Sequence, residues 1–237
     1  MTMTRKPRGP GKRVKAVIFD LDDTLVESTV NYGKFKGLVI DRLVSWGEDR
    51  DTYSPDETIV AILSRFEQRM MASGMSREEL ASKLSQLDKI MDEVELERVS
   101  ETKAIRGALD LLRMLRRGGV RVGILTRGCE EYAEAAMSAT GMLSMVDSVE
   151  CRNSKTKAKP NPESYLRLVE ALGVPKDETI FVGDHPIDAQ CAVNAGVPFV
   201  AVLTGDVPEE VLRDAGSIEV FADVGEMIAW FEARLHD

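Results

Sequence analysis

The fold is decided by AVIFDLDDTLVES, residues 16–28. Ala16 to Phe19 are four consecutive apolar residues, the pattern of a strand buried on both faces of a parallel sheet. The run ends in Asp20, Asp22 and Asp23, three carboxylates within four positions. Carboxylates crowded at the end of a buried strand repel one another and resist leaving water. Such a cluster requires a cation, a set of hydrogen-bond donors or open solvent, and which of these applies determines the chemistry.

A chain of 237 residues can bury a sizeable core and fits one large domain or a domain carrying an insertion. Its formal net charge of −9 argues against nucleic acid as a main partner, because phosphate backbones are bound by surplus Lys and Arg. A small anionic substrate needs only a local positive pocket. Cys129, Cys151 and Cys191 are odd in number and widely spaced, match no disulfide or zinc framework, and point to a reducing cytoplasm. No apolar stretch approaches the ~20 residues of a membrane span and no apolar signal core opens the chain, so a soluble protein without a membrane partner is expected. Residues 1–13, which contain TRKPRGPGKR, are basic and rich in Pro and Gly and read as a flexible leader.

From residue 104 onward, helical periodicity alternates with short β-branched runs, as in βαβ units on a parallel sheet. Strands are expected at Arg121 to Thr126, Met145 to Glu150, Thr179 to Gly183, Phe199 to Leu203 and near Ile218 to Phe221. Helices are expected over roughly 105–117, 129–140, 161–172, 186–195, 208–214 and 224–235. RRGG closes the first of these, KPNPE opens the third, and Pro186 stands where a first helical turn tolerates it. Residues 28–100 differ: helix formers at helical spacing, Met70, Met71 and Met75 among them, with no convincing strand. Turn signals at WGEDRDTYSPDE and ASGMS divide this stretch into about three helices. The resulting expectation is a Rossmann-like α/β parallel-sheet core over 14–27 and 101–237, with an all-helical cap inserted over 28–100.

Ligands of open parallel sheets sit at the carboxyl ends of the strands, where the winding reverses. Asp20, Asp22, Asp23 and Thr24 follow the first strand, Thr126 and Arg127 follow VGIL, and Asp184, His185 and Asp188 follow IFVG. Lys159 lies just before a predicted helix. Taken singly, Thr126 or Asp184 reads equally well as a helix cap, Lys159 as a solvated loop residue, and His185 as a packing residue.

Together they resemble the haloacid dehalogenase superfamily, most of whose members are phosphatases. The four signatures stand in order: DLDDT at 20–24, LT at 125–126, Lys159 in KPNPE, and GDHPID at 183–188. The likeness covers about residues 14–25 and 104–222; the helical insertion matches only in position and character. The resemblance implies that Asp20 is a nucleophile and that Asp22 is a general acid and base. It also implies that Thr126 and Lys159 bind the phosphoryl group beside Arg127. Mg²⁺ would be held by Asp20, the backbone carbonyl of Asp22 and Asp184, with Asp188 in support. The implied substrate is a small phosphorylated metabolite.

Asp22 argues against the dehalogenase branch, which has no leaving oxygen to protonate. A phosphosugar mutase of the β-phosphoglucomutase type shares all four motifs. Its lid would present cations to a second phosphate, and Arg42, Arg50, Arg65 and Arg69 are candidates. A non-catalytic binding protein with the same fold would be expected to lack Asp20 or Asp22.

Overall fold

A computed structural model describes residues 13–235, so the leader expected over 1–13 lies outside the described residues except for Arg13. The strand β1, Ala16–Phe19, is buried at all four positions. It is flanked on one side by β4, Arg121–Leu125, and on the other by β6, Thr179–Gly183. The remaining strands of the sheet are β5, Ser148–Glu150, β7, Phe199–Val202, and β8, Glu219–Phe221. The order β5-β4-β1-β6-β7-β8 is parallel throughout, so the winding reverses at β1. A central strand covered on both faces has no solvent side, which explains its uninterrupted apolar sequence.

Helices cover the sheet. The helix α4, Ala108–Arg117, buries Ala108, Leu111, Leu112 and Leu115, and α6, Glu163–Leu172, buries Tyr165, Leu168, Val169 and Leu172. Both patterns are the i, i+3, i+4, i+7 stripe that seats a helix on a core. The α6 stripe packs with Ala16 and Ile18 of β1, Phe181 of β6 and Phe199 of β7. Gly123 of β4 lies where a methyl group would come within 2.9 Å of Leu168 and 3.1 Å of Leu172, so its bare backbone sets how closely α6 approaches. The other helices here are α5, Glu130–Ala139, α7, Pro186–Ala195, α8, Glu209–Asp214, and α9, Met227–Leu235.

Two compact units emerge from the chain: one runs to Ser28 and resumes at Ser100, and the other is Thr29–Val99. In the first, β2, Val26–Glu27, pairs antiparallel with β3, Lys103–Ala104, where the chain leaves and returns. The second unit holds α1, Tyr32–Ser45, α2, Ile59–Ala72, and α3, Arg77–Leu96. These three helices share a core of Phe35, Val39, Leu43, Phe66, Leu87 and Met91. Met70 and Met75 pack against that core, while Met71 is exposed. Among the described residues no helix is long and apolar enough to cross a membrane.

Candidate active site

Because the winding reverses at β1, the residues after β1, β4 and β6 share one end of the sheet. Asp20 ends β1, Thr126 follows β4 and Asp184 follows β6. Carboxylate oxygens of Asp20, Asp184 and Asp188 all lie within 4.8 Å of one another. Lys159 reaches them from the loop before α6, its Nζ 2.6 Å from Asp20 Oδ1 and 2.7 Å from Asp188 Oδ1. The Thr24 hydroxyl donates to Asp184 Oδ1 at 3.1 Å.

The cluster is dry. Asp188 is 1% exposed, Lys159 4%, Asp184 8% and Asp20 9%. Burial pushes Asp20 above the usual carboxylate range; Lys159 pulls it back, while Asp188 and Asp22 push it further up. Burial raises Asp184 as well, and repulsion from Asp20 and Asp188 adds to it. For Lys159 burial works against the ammonium, but Asp188 and Asp20 outweigh it and hold the group charged. Three carboxylates thus share one cation, a set of hard oxygen donors short of positive charge that suits a metal ion. Two glycines make room for these carboxylates. A Cβ at Gly183 would fall 2.6 Å from Asp188 Oδ2, and one at Gly205 would fall 2.1 Å from Asp184 Oδ2.

Asp22 is held apart from this trio. Its Oδ1 accepts a hydrogen bond from the Tyr132 hydroxyl at 2.5 Å. The next residue, Asp23, adopts a left-handed backbone, φ 54°, which Asp tolerates better than most side chains. That turn is held by the Ser28 N–H, which donates to Asp23 Oδ1 at 3.0 Å, and by the Thr204 hydroxyl, which donates to the Asp23 carbonyl.

Thr126 is buried, and its Oγ1 accepts from the Gly128 N–H at 3.0 Å. The bond occupies an acceptor site and leaves the hydroxyl proton for a ligand oxygen. Arg127 is half-buried and its carbonyl accepts from Arg152 at 3.0 Å. The N-cap of α7 is His185, not Asp184 as one reading of the sequence allowed. His185 Nδ1 accepts from the Ile187 N–H, and Asp188 accepts from the His185 N–H, each at 3.2 Å. Burial holds the imidazole below its usual pKa, aided by Lys159 and Arg127 and opposed by Asp188, which keeps Nδ1 an acceptor. Asp188 therefore both closes the capping box and anchors Lys159. Cys129, Cys151 and Cys191 are buried and not joined by a disulfide, and burial pushes the Cys151 and Cys191 thiols up to about 12, far from thiolate reactivity.

Sequence reasoning missed Tyr132 and Gly205. Gly205 carries no local signature. Tyr132 stands in TRGCEEY, six residues after Thr126, as an aromatic in the first turn of a helix otherwise made of Glu, Ala, Met and Ser.

Residues 17–202 match the family described as haloacid dehalogenase-like hydrolase. The chain is 29% identical over 221 residues to phosphoglycolate phosphatase of Rhodospirillum rubrum, covering 91% of this chain and 90% of that protein. It is 28% identical over 193 residues to hexitol phosphatase A of Escherichia coli, covering 80% and 83% respectively. Among solved structures, a haloacid dehalogenase-like hydrolase from Bacteroides fragilis superposes with a TM-score of 0.67 at 21% identity, over 91% of this chain and 100% of that one. A family match spanning most of the sheet and all four signatures leads to one conclusion: the chain belongs to the haloacid dehalogenase-like hydrolases.

Proposed function

We propose that the protein is a Mg²⁺-dependent phosphatase that hydrolyses a small phosphate monoester through a phosphorylated Asp20. One observation carries this reading: the buried carboxylates of Asp20 and Asp184, which follow adjacent strands, and of Asp188 in the first turn of α7 are gathered together and partnered by Lys159, with the buried Thr126 following β4. That two relatives are named as phosphatases supports the same reaction class. Asp20, Asp184 and the Asp22 carbonyl, with Asp188 in support, would hold Mg²⁺, which would supply charge that offsets the repulsion between a phosphate dianion and an attacking carboxylate.

This chain's own residues do the rest. Lys159 keeps Asp20 ionised and neutralises a phosphoryl oxygen, while Thr126 donates to another. Asp20 attacks phosphorus, the bond to the ester oxygen breaks, and Asp22 gives that oxygen a proton. Water then attacks the aspartyl-phosphate and gives a proton to Asp22, which frees Asp20.

A phosphatase is preferred to a phosphosugar mutase because the four arginines that could face a second phosphate have partners within the helical unit. Arg50 pairs with Asp41, Arg65 with Glu57 and Arg69 with Glu48, while Arg42 lies over the Trp46 ring. The test is phosphate release from a panel of phosphorylated metabolites with Mg²⁺, combined with rapid-quench detection of the phosphoenzyme. Steady release without a bisphosphate activator is expected, with Asp20→Asn inactive. Retention of most of the rate in Asp20→Asn would remove the covalent mechanism. A phosphoenzyme that discharges quickly to a hexose monophosphate but slowly to water would make the protein a mutase.

A further inference from the structure

The Tyr132 hydroxyl donates to Asp22 Oδ1 across 110 positions of sequence. The ring that carries it is 0% exposed and tightly fixed. A Cβ at Gly128 would come within 2.7 Å of Tyr132 Cδ1 and 3.4 Å of Thr126 Oγ1, so only a glycine lets the ring lie against that turn. The Tyr132 N–H is itself bonded to Cys129 Sγ at 3.4 Å, at the N-cap of α5. Thr126, Gly128 and Tyr132 therefore form one short rigid segment after β4, which offers a hydroxyl to the phosphoryl group at one end and grips Asp22 at the other.

We propose that Tyr132 is a positioning residue for proton transfer by Asp22, an inference that rests on the phosphatase reading above. Asp22 lies in the loop after β1, and a carboxyl group on a loop turns freely about its last torsion. A donor fixed on Oδ1 stops that rotation. In the acid form it makes Oδ1 the carbonyl oxygen and assigns the proton to Oδ2. When the bond from phosphorus to the ester oxygen breaks, its electron pair stays on that oxygen, which takes the Oδ2 proton. In the second half-reaction water forms the new bond to phosphorus, its proton returns to Asp22, and the bond from phosphorus to Asp20 breaks. Because Tyr132 is built into the same turn as Thr126, the proton donor is registered against the group being transferred. Misplacement of such a donor by about 1 Å is enough to cost on the order of 100-fold.

The experiment compares Tyr132→Phe with wild type on an alkyl phosphate, whose leaving oxygen needs a proton, and on 2,4-dinitrophenyl phosphate, whose leaving group does not. The ring and its packing stay, so only the hydroxyl is lost. The expected result is a fall in kcat/KM, which reports only the steps up to phosphorylation of Asp20, of about 10-fold or more on the alkyl ester against less than about 2-fold on the dinitrophenyl ester. In addition, Tyr132→Phe combined with Asp22→Asn should be no slower than Asp22→Asn alone. Equal losses on both esters, no loss on either, or an additive double variant would overturn the inference while leaving the phosphatase intact. A wild-type protein inactive on both esters would overturn the phosphatase reading, and this inference with it. Should the Phe variant melt below the assay temperature, 3,5-difluorotyrosine at position 132 keeps the hydroxyl and changes its donor strength. A rate change confined to the alkyl ester is then expected, and a uniform change overturns the proposal.

Discussion

Among the described residues Lys159 is the cation paired with Asp20 and Asp188, and its removal leaves both buried carboxylates without that partner. Truncating one partner of a buried ion pair costs about 3–5 kcal/mol, because the partner left behind is charged and dry. Lys159→Ala should therefore lower metal-free stability by about that amount in urea titration and depress kcat/KM together with it. An unchanged kcat/KM would show that another cation serves the phosphoryl group. Asp147 gives a milder test, through pH. Burial alone would raise its carboxyl, but the Val122 N–H at 2.8 Å, Arg121 and Arg116 hold it below the ordinary carboxylate value. A depressed folded pKa contributes stability above the unfolded value of about 3.9 and loses it as pH falls through the folded value. Asp147→Asn should thus melt below wild type at pH 7, with the gap closing in acid; a gap that persists unchanged at pH 2.5 would assign the effect to packing. At this scale the sequence marked Asp20, Asp22, Thr126, Lys159, Asp184 and Asp188 as candidates, because four signatures stand in order near predicted strand ends and helix starts. Tyr132 and Gly205 were not legible as site residues. What matters about each is a contact with a residue far away in sequence, and no periodicity or turn signal encodes such a contact.

At the scale of elements, the docking of α4 beside α9 turns on two glycines. Gly107 is the N-cap of α4 in a left-handed conformation, φ 81°, and a Cβ there would fall 2.2 Å from the Gly225 Cα. Both obstacles are backbone, so neither can be relieved by a side-chain rotation. Asp223 fixes the same junction: its carboxylate takes Arg106 Nε at 2.6 Å and the Gly225 N–H at 2.9 Å. Gly107→Ala should destabilise the α/β unit by more than about 3 kcal/mol in chemical denaturation, combining left-handed strain with overpacking. A loss under about 1 kcal/mol would mean that the two loops separate easily. The strands β4, β6 and β7 were legible within a residue of their ends, since buried parallel strands are short apolar runs bounded by turn residues. Met145 proved to be the end of a 3-10 turn, with β5 starting only at Ser148. The two-residue ladder of β2 and β3 was not foreseen, because two residues show no alternation. Helix starts were placed up to three residues early, as with α4 and α9, since a capping turn has the same composition as a first helical turn.

The molecule as a whole carries a charge imbalance that a cation should repair. A ligand that binds only the folded state stabilises it by about 2.7 kcal/mol at 100 times its Kd, roughly 5–10 °C for a protein of this size. Mg²⁺ should therefore raise the melting temperature of EDTA-treated protein by that order, and the rise should be absent in an Asp20→Asn, Asp184→Asn double variant. Activity should vanish in EDTA, return with Mg²⁺ and return poorly with Ca²⁺, whose looser coordination places oxygen ligands less tightly. Full activity in excess EDTA would exclude a metal from the reaction. The centrality of β1 has a bearing on how the protein is made. Its sheet partners begin at Arg121 and Thr179, so the strand that precedes Asp20 leaves the ribosome well before either and must wait for both. Meanwhile Thr29–Val99, whose contacts are largely its own, can already collapse. Asp20 gains Asp184 and Asp188 beside it only when β6 and α7 dock, so a nascent or prematurely terminated chain lacks the carboxylate cluster on which the proposed hydrolysis rests.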